Sequence, residues 1–263
     1  MPAGMILYDH PLSSYSQKVK IALREKGIAF TRSLPDDFGT GRRDTAFAAA
    51  NPRGEVPVLL DGDRAIFDST IILEYLEDRW PAPALLPADP FSRAGARMIE
   101  DICDTQYEAV NWGFGELLWF RRAEGKLGDR LRAAVIRDTE VLQTWLTRQL
   151  GGAEWFGGDR FGWADAAAAP MVNRSVHYGL GPAGDTPLAR WHARLRQRPA
   201  VAETFAEFDA AAARMAEMAD HYRTGGRRRE YRDHRLEWMI RSGGSEVVLT
   251  GLRDDTIRFS WPG

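Results

Sequence analysis

A stretch rich in proline and alanine, from Pro81 to Pro90, divides the chain into two unlike parts, and that division constrains the fold more than any other feature. Before it, short apolar runs of strand length alternate with helical patterns; after it, no convincing strand appears for over a hundred residues. This order predicts a layered α/β unit followed by a separate helical unit.

In the first part, Met5 to Tyr8 reads as a strand, and Ser14 to Lys26 reads as a helix with Val19, Ala22 and Leu23 on one face and Gly27 as its stop. A brief strand near Phe30 precedes a polar stretch from Asp36 to Arg43. Val56 to Leu60 and Arg64 to Phe67, joined by Asp61-Gly62-Asp63, carry a hairpin signal, and Asp68-Ser69 opens a helix that ends before Pro81. The expected order is β-α-β-α-β-β-α.

In the second part, Asp89 can cap a helix whose first residue is Pro90, where a missing N–H costs nothing. Helices are predicted from Pro90 to about Arg121, Lys126 to Gln149, Ala164 to Tyr178, Pro187 to Arg198 and Val201 to about Tyr222. From Arg223 the texture changes: Arg227-Arg228-Arg229, a short helical piece from Tyr231 to Ile240, and two alternating segments, Glu246 to Thr250 and Thr256 to Trp261, that predict a terminal β-hairpin. The expected domains are 1–80, a linker at 81–89, a helical domain at 90–222 and an extension at 223–263.

With 35 basic and 37 acidic side chains, no charge excess argues for nucleic acid or an anionic membrane as partner. No apolar run approaches the roughly 18 residues of a spanning helix. The single cysteine, Cys103, forms neither an internal disulfide nor a cysteine-based zinc site, and no metal is expected because His192, His221 and His234 show no ligand spacing. The start of the chain lacks a basic region followed by an apolar stretch, so the expected location is a reducing cytoplasm.

Three places carry chemistry. Ser13, Ser14 and Ser16 fall at the start of the first helix, where they serve as caps or, with the helix dipole, favour an anion. Asn51-Pro52-Arg53-Gly54-Glu55-Val56-Pro57 is a turn feeding a strand, and a proline there removes a ladder donor. Asp68-Ser69 sets a carboxylate and a hydroxyl at the next helix start, suited to capping, to ligand binding, or to both.

Taken together, His10 to Val19, Asn51 to Pro57 and Asp68-Ser69 resemble the catalytic and glutathione-binding segments of a serine-type bacterial member of the cytosolic glutathione transferases, over about residues 5 to 215. The resemblance implies a thioredoxin-like N-terminal domain, an all-helical C-terminal domain and a homodimer with the third and fourth helices near its axis. It implies that Ser13 donates a hydrogen bond to the glutathione sulfur, that Val56 pairs its backbone with the cysteinyl unit ahead of a cis Pro57, and that Asp68 and Ser69 hold the γ-glutamyl end. Arg42 and Arg43 fall where basic residues meet the glycine carboxylate. Glutathione is the implied cosubstrate, and a small hydrophobic, aromatic electrophile the implied second substrate. His10, Leu12 and Tyr15 are expected on one wall of the electrophile pocket, and Tyr107, Asn111, Trp112, Phe114, Trp119 and Phe120 are candidates for the other, although such a run also suits a core. Gly113 and Gly115 would open space there for a bulky ligand.

Two departures stand out: Glu55 beside Val56, which would repel glutathione carboxylates if it faced inward, and Gly162 in place of the family's hydroxyl cap before Asp165. Asn51 to Pro57, Glu74 to Asp78 and Pro87 to Phe91 are also similar to bacterial β-aryl etherases. A non-catalytic scaffold whose tail docks a partner is the rival reading.

Overall fold

The computed structural model describes residues 4–36, 38–39, 42, 44–215 and 228–259. Arg43, the stretch 216–227 that contains Tyr222 and Arg227, and Trp261 lie outside the described residues.

Strand β1 (Met5–Tyr8) and helix α1 (Ser14–Glu25) lead to β2 (Phe30–Ser33), which lies parallel to β1. After the short α2 (Ala46–Ala50), β3 (Val58–Asp61) and β4 (Arg64–Phe67) form an antiparallel hairpin, and β3 pairs antiparallel with β1. Gly62 takes the positive φ of 64° that this tight turn needs. The sheet order is β2-β1-β3-β4, a thioredoxin-like arrangement. Leu7 and Leu59 on the inner strands, Val19 to Leu23 of α1, and Ile72, Leu73 and Leu76 of α3 (Ser69–Arg79) form its core. The segments read as strands and helices before Pro81 all occur.

The helical domain begins at α4 (Pro90–Ile102), with Asp89 accepting from Ser92 N as expected. The single helix expected to run to Arg121 is three pieces: α4, a π-helical turn at Cys103–Tyr107, and α5 (Glu108–Leu118). Then come α6 (Gly125–Leu150), α7 (Trp163–His177), α8 (Pro187–Leu195) and α9 (Pro199–Ala212). Asp165 compensates for Gly162 at the start of α7: its carboxylate accepts from Gly162 N, Phe156 N and Trp191 Nε1. Burial pushes its pKa up to about 6 despite these donors.

The C-terminal extension is not a hairpin. Strand β5 (Arg229–Glu230) pairs in parallel with β6 (Ile257–Arg258), and between them lie α10 (Asp233–Arg241) and α11 (Ser245–Arg253). The alternation of Glu246 to Thr250 is too short to distinguish a period of two from one of 3.6. Val247, Val248 and Gly251 are buried while Leu249 and Leu252 are exposed, which is a helical stripe.

This extension completes the helical domain. Trp238, Met239, Val247 and Ile257 pack with Trp112, Leu131 and Val135 in one apolar cluster. The room left by Gly113 is taken by the chain's own Trp238, whose ring lies 2.2 Å from where a Cβ would be, so it is not open to a ligand. Among the described residues, no helix is long and apolar enough to cross a membrane.

Candidate functional site

The cleft between the two domains has two adjoining recesses that share Tyr15, Glu55, Val56 and Arg232. The Ser13 recess, about 190 Å³, includes Ser13 and the aromatic wall of α5; the other, about 200 Å³, includes Pro57, Asp68 and Ser69.

Ser13 is the N-cap of α1, and its Oγ accepts from Ser16 N at 3.2 Å. Accepting that bond leaves the hydroxyl proton available for donation into the recess. Ser14 Oγ also borders this recess and is buried without a hydrogen-bond partner, a feature the sequence reading did not separate from its neighbour. Tyr15 donates its hydroxyl to the Asp104 carbonyl at 2.7 Å and lies 3.3 Å from His234 Nε2; burial raises its pKa well above the ordinary phenol value. A phenol held in that way is part of the wall.

The turn before β3 is built by Asn51, whose side chain donates to the Glu55 carbonyl at 2.8 Å and accepts from Arg53 N at 3.0 Å. It delivers Val56 and a cis Pro57 just ahead of Val58, the first residue of β3 paired with β1. Asp68 caps α3, accepting from Thr70 N at 3.1 Å and Ile71 N at 3.5 Å. It does so at φ 73°, a region a non-glycine residue adopts at a cost of about 1–3 kcal/mol, which is characteristic of functional positions. Its second oxygen lies 3.5 Å from Arg53, and Ser69 is buried beside it.

The helical wall sorts by phase. Tyr107, Asn111 and Phe114, at i, i+4 and i+7, face the interior and do not border either recess. Tyr107 accepts from Gln143 Nε2 at 3.0 Å, Asn111 bonds the Met171 carbonyl and Ser175, and Phe114 packs edge-on to Tyr178. Glu108, Trp112 and Trp119 lie on another face, and these, with Phe120, His10 and Leu12, border the Ser13 recess. Arg42 is not brought to either recess: it is exposed and pairs with Asp44 at 3.0 Å. Cys103 is buried, and burial raises its thiol pKa. Among the described residues, no group of His, Cys, Asp and Glu could hold a metal ion.

The extension supplies what the sequence reading missed. Arg229, Glu230, Arg232, Arg235 and Arg258 border the Ser13 recess, and Arg232, Asp233 and His234 border the recess beside Asp68. Their signal is the arginine-rich run itself, a pattern that from sequence alone favours a solvated linker. Glu108 accepts two bonds from Arg235, at 2.6 and 3.1 Å, and lies 3.0 Å from His234. Burial opposes its ionisation, yet the Arg235 guanidinium and the hydrogen bond with His234 hold its pKa well below the usual carboxylate range.

Glu55 does face the cleft. It pairs with Arg53 at 3.0 Å and lies 3.9 Å from Arg232. Burial, then a hydrogen bond shared with Glu230, pushes its pKa up to about 7, while Glu230, despite its burial, is held low by the same bond and its arginines. A protonated Glu55 joins the extension to the turn carrying Val56 and carries no charge to repel an anionic ligand. Between an unfolded value of about 4.3 and the folded value of about 7, the folded chain keeps a proton that the unfolded chain releases, so stability falls as pH rises through that window. Glu55→Gln should remove this loss, gaining about 1–3 kcal/mol on wild type between about pH 5 and pH 8. Urea melts of both proteins at the two pH values check it; parallel pH profiles would contradict it.

Two family descriptions match: Glutathione S-transferase, N-terminal domain, over residues 7–84, and Glutathione S-transferase, C-terminal domain, over residues 140–194. The probable glutathione S-transferase parC of Nicotiana tabacum is 30% identical, over 76% of this chain and 88% of its own. A maleylacetoacetate isomerase of Pseudomonas aeruginosa is 31% identical, over 67% of this chain and 84% of its own. A glutathione S-transferase of Methylobacterium radiotolerans, solved in complex with glutathione sulfonate, matches with a TM-score of 0.64 at 30% identity, over 77% of this chain and 95% of its own. With this fold, this order of domains and these relatives, the chain belongs to the glutathione S-transferase family and is a transferase.

Proposed function

We propose that the cleft binds glutathione with its γ-glutamyl end at Asp68 and Ser69 and its sulfur at Ser13, and transfers the thiolate to a hydrophobic, aromatic electrophile lying against Trp112, Trp119 and Phe120. The observation that carries this reading is the position of Ser13, a hydroxyl with a free proton at the N-terminus of α1, bordering the aromatic recess next to the one that holds Asp68. A cysteine-like thiol with a pKa of about 8.5 is only a few per cent ionised at neutral pH, and each unit of lowering favours the thiolate by about 1.4 kcal/mol. One hydrogen bond from Ser13 and the dipole of α1 both act in that direction.

Asp68 would meet the glutathione ammonium, exchanging its long contact with Arg53 for a closer cation, and Ser69 with the N-terminus of α3 would meet the α-carboxylate. Val56 would offer its backbone to the cysteinyl unit. Substitution, addition and ether cleavage all draw on this thiolate. A reducing cytoplasm is the compartment that suits a free-thiol cosubstrate. Retention on immobilised glutathione together with turnover of 1-chloro-2,4-dinitrobenzene tests the proposal; failure of both would overturn it.

Asp68→Ala should raise the KM for glutathione about tenfold or more and change kcat less, because the contact is remote from the sulfur. Loss of the cap should also cost about 1 kcal/mol of stability. Unchanged glutathione affinity by calorimetry in a folded variant would leave Asp68 as a cap alone.

Association through α3 and α4 is supported by Ile71, Phe91 and Met98, which are 56%, 86% and 64% exposed. Light scattering should report about twice the 29.5 kDa chain mass. A monomer at micromolar concentration would contradict this arrangement.

A further inference from the structure

We propose that the electrophile is an anion, an aromatic molecule bearing a carboxylate, and that Arg174 receives its charge. The proposal rests on the transferase reading of the same cleft.

Arg174 of α7 is only 7% exposed and borders the recess that holds Ser13. One of its Nη atoms donates to the Leu12 carbonyl, and its guanidinium lies 5.7 Å from the ring centres of both Trp119 and Phe208. Its Nε is buried with no hydrogen-bond partner, and the Leu12 carbonyl, not a carboxylate, is what its guanidinium meets among the described residues. A buried cation that meets no carboxylate among the described residues is stabilised by an incoming anion.

Its neighbours differ. Arg229, Arg235 and Arg258 each hold a carboxylate at 2.6 Å, from Glu116, Glu108 and Glu230. Six arginines border this recess against three glutamates, one of which, Glu55, has its pKa pushed up to about 7, so the cavity as a whole favours a negative guest. Ser13 and the α1 dipole already serve the sulfur, while Arg174 lies against the aromatic wall. That placement suits an aryl carboxylate: its ring can lie along Trp119 while its two oxygens take the planar guanidinium fork. In the reaction tested below, the thiolate forms a carbon–sulfur bond to the aryl carbon as the carbon–chlorine bond breaks, and chloride leaves with the electron pair.

The test compares 4-chloro-3-nitrobenzoate with its neutral amide, 4-chloro-3-nitrobenzamide, on the full-length wild type, Arg174→Gln and Arg174→Lys. The ratio of kcat/KM, benzoate over benzamide, should fall at least about tenfold in Arg174→Gln and recover in part in Arg174→Lys. An unchanged ratio would overturn the proposal. So would an equal loss on both substrates with a raised pKa of bound glutathione, which would assign Arg174 to the sulfur. A second arm needs no variant: the wild type should bind the carboxylated S-aryl glutathione product at least about tenfold more tightly than its carboxamide counterpart, and equal affinities would overturn the proposal. Glutathione affinity, measured by calorimetry, separates the two readings. Binding of glutathione with turnover of the amide but not the benzoate defeats only the anionic substrate; absence of both glutathione binding and turnover defeats the transferase reading with it.

Discussion

Ser13→Ala should lower turnover by about tenfold to several hundredfold while altering glutathione affinity less. The range is that of one lost hydrogen bond to a charged group, about 1.5–3 kcal/mol. The hydroxyl does not need to lose its own proton: it accepts from Ser16 N and donates to sulfur, and removing it returns the thiol toward its solution pKa. Because Ser13 also caps α1, the variant should lose about 1 kcal/mol of stability, so activity is to be compared well below its melting temperature. Full activity in a folded Ser13→Ala protein would move the role to Ser14, whose buried and unpartnered Oγ borders the same recess.

The largest effect on stability is expected from Trp238→Ala, at about 3–5 kcal/mol. Trp238 is almost fully buried over Gly113 and donates from Nε1 to Asp138 Oδ2 at 3.1 Å, so its loss leaves a cavity and removes one of the two partners of that oxygen, the other being Arg241. Gly113→Val should act on the same contact from the other side, since a Cβ there overlaps the indole ring. Both variants should also free the extension from the cleft it borders and broaden activity toward bulky aromatic substrates. Thermal melting, with limited proteolysis of the extension, checks this. A wild-type melting temperature in both variants would show that the extension does not complete the core.

These two predictions depend on features that were unequally legible in the sequence. Before Pro81, strand patterns, glycine turns and helix caps are all local signals that agree, and the order of elements follows from them. The motifs around Ser13, Val56 and Asp68 were legible for the same reason: each is a cap or turn whose chemistry lies within a few residues. The aromatic run of α5 was harder, because which face meets the cleft depends on how the helix is rotated. The π-helical turn at Cys103–Tyr107 lies immediately before that helix, and no proline or glycine marks it. Trp112 and Trp119 border the Ser13 recess, while Tyr107 and Phe114 are turned into the core.

The extension was misread because its strands are two residues each and pair across about 27 residues, a contact that no local pattern records. Its arginines take their meaning from Glu108, Glu116 and Glu55, all distant in sequence. Gly113 was read as open space for a ligand, and only the folded chain brings Trp238 there.

The most direct test of the central claim, that this cleft holds glutathione as a thiolate at Ser13, is an ultraviolet difference titration of glutathione bound to wild type and to Ser13→Ala. The thiol should ionise at least about one unit below its free value of about 8.5 on the wild type and move back up on the variant. A bound thiol that titrates like free glutathione on the wild type, or equally low on both proteins, would contradict the account.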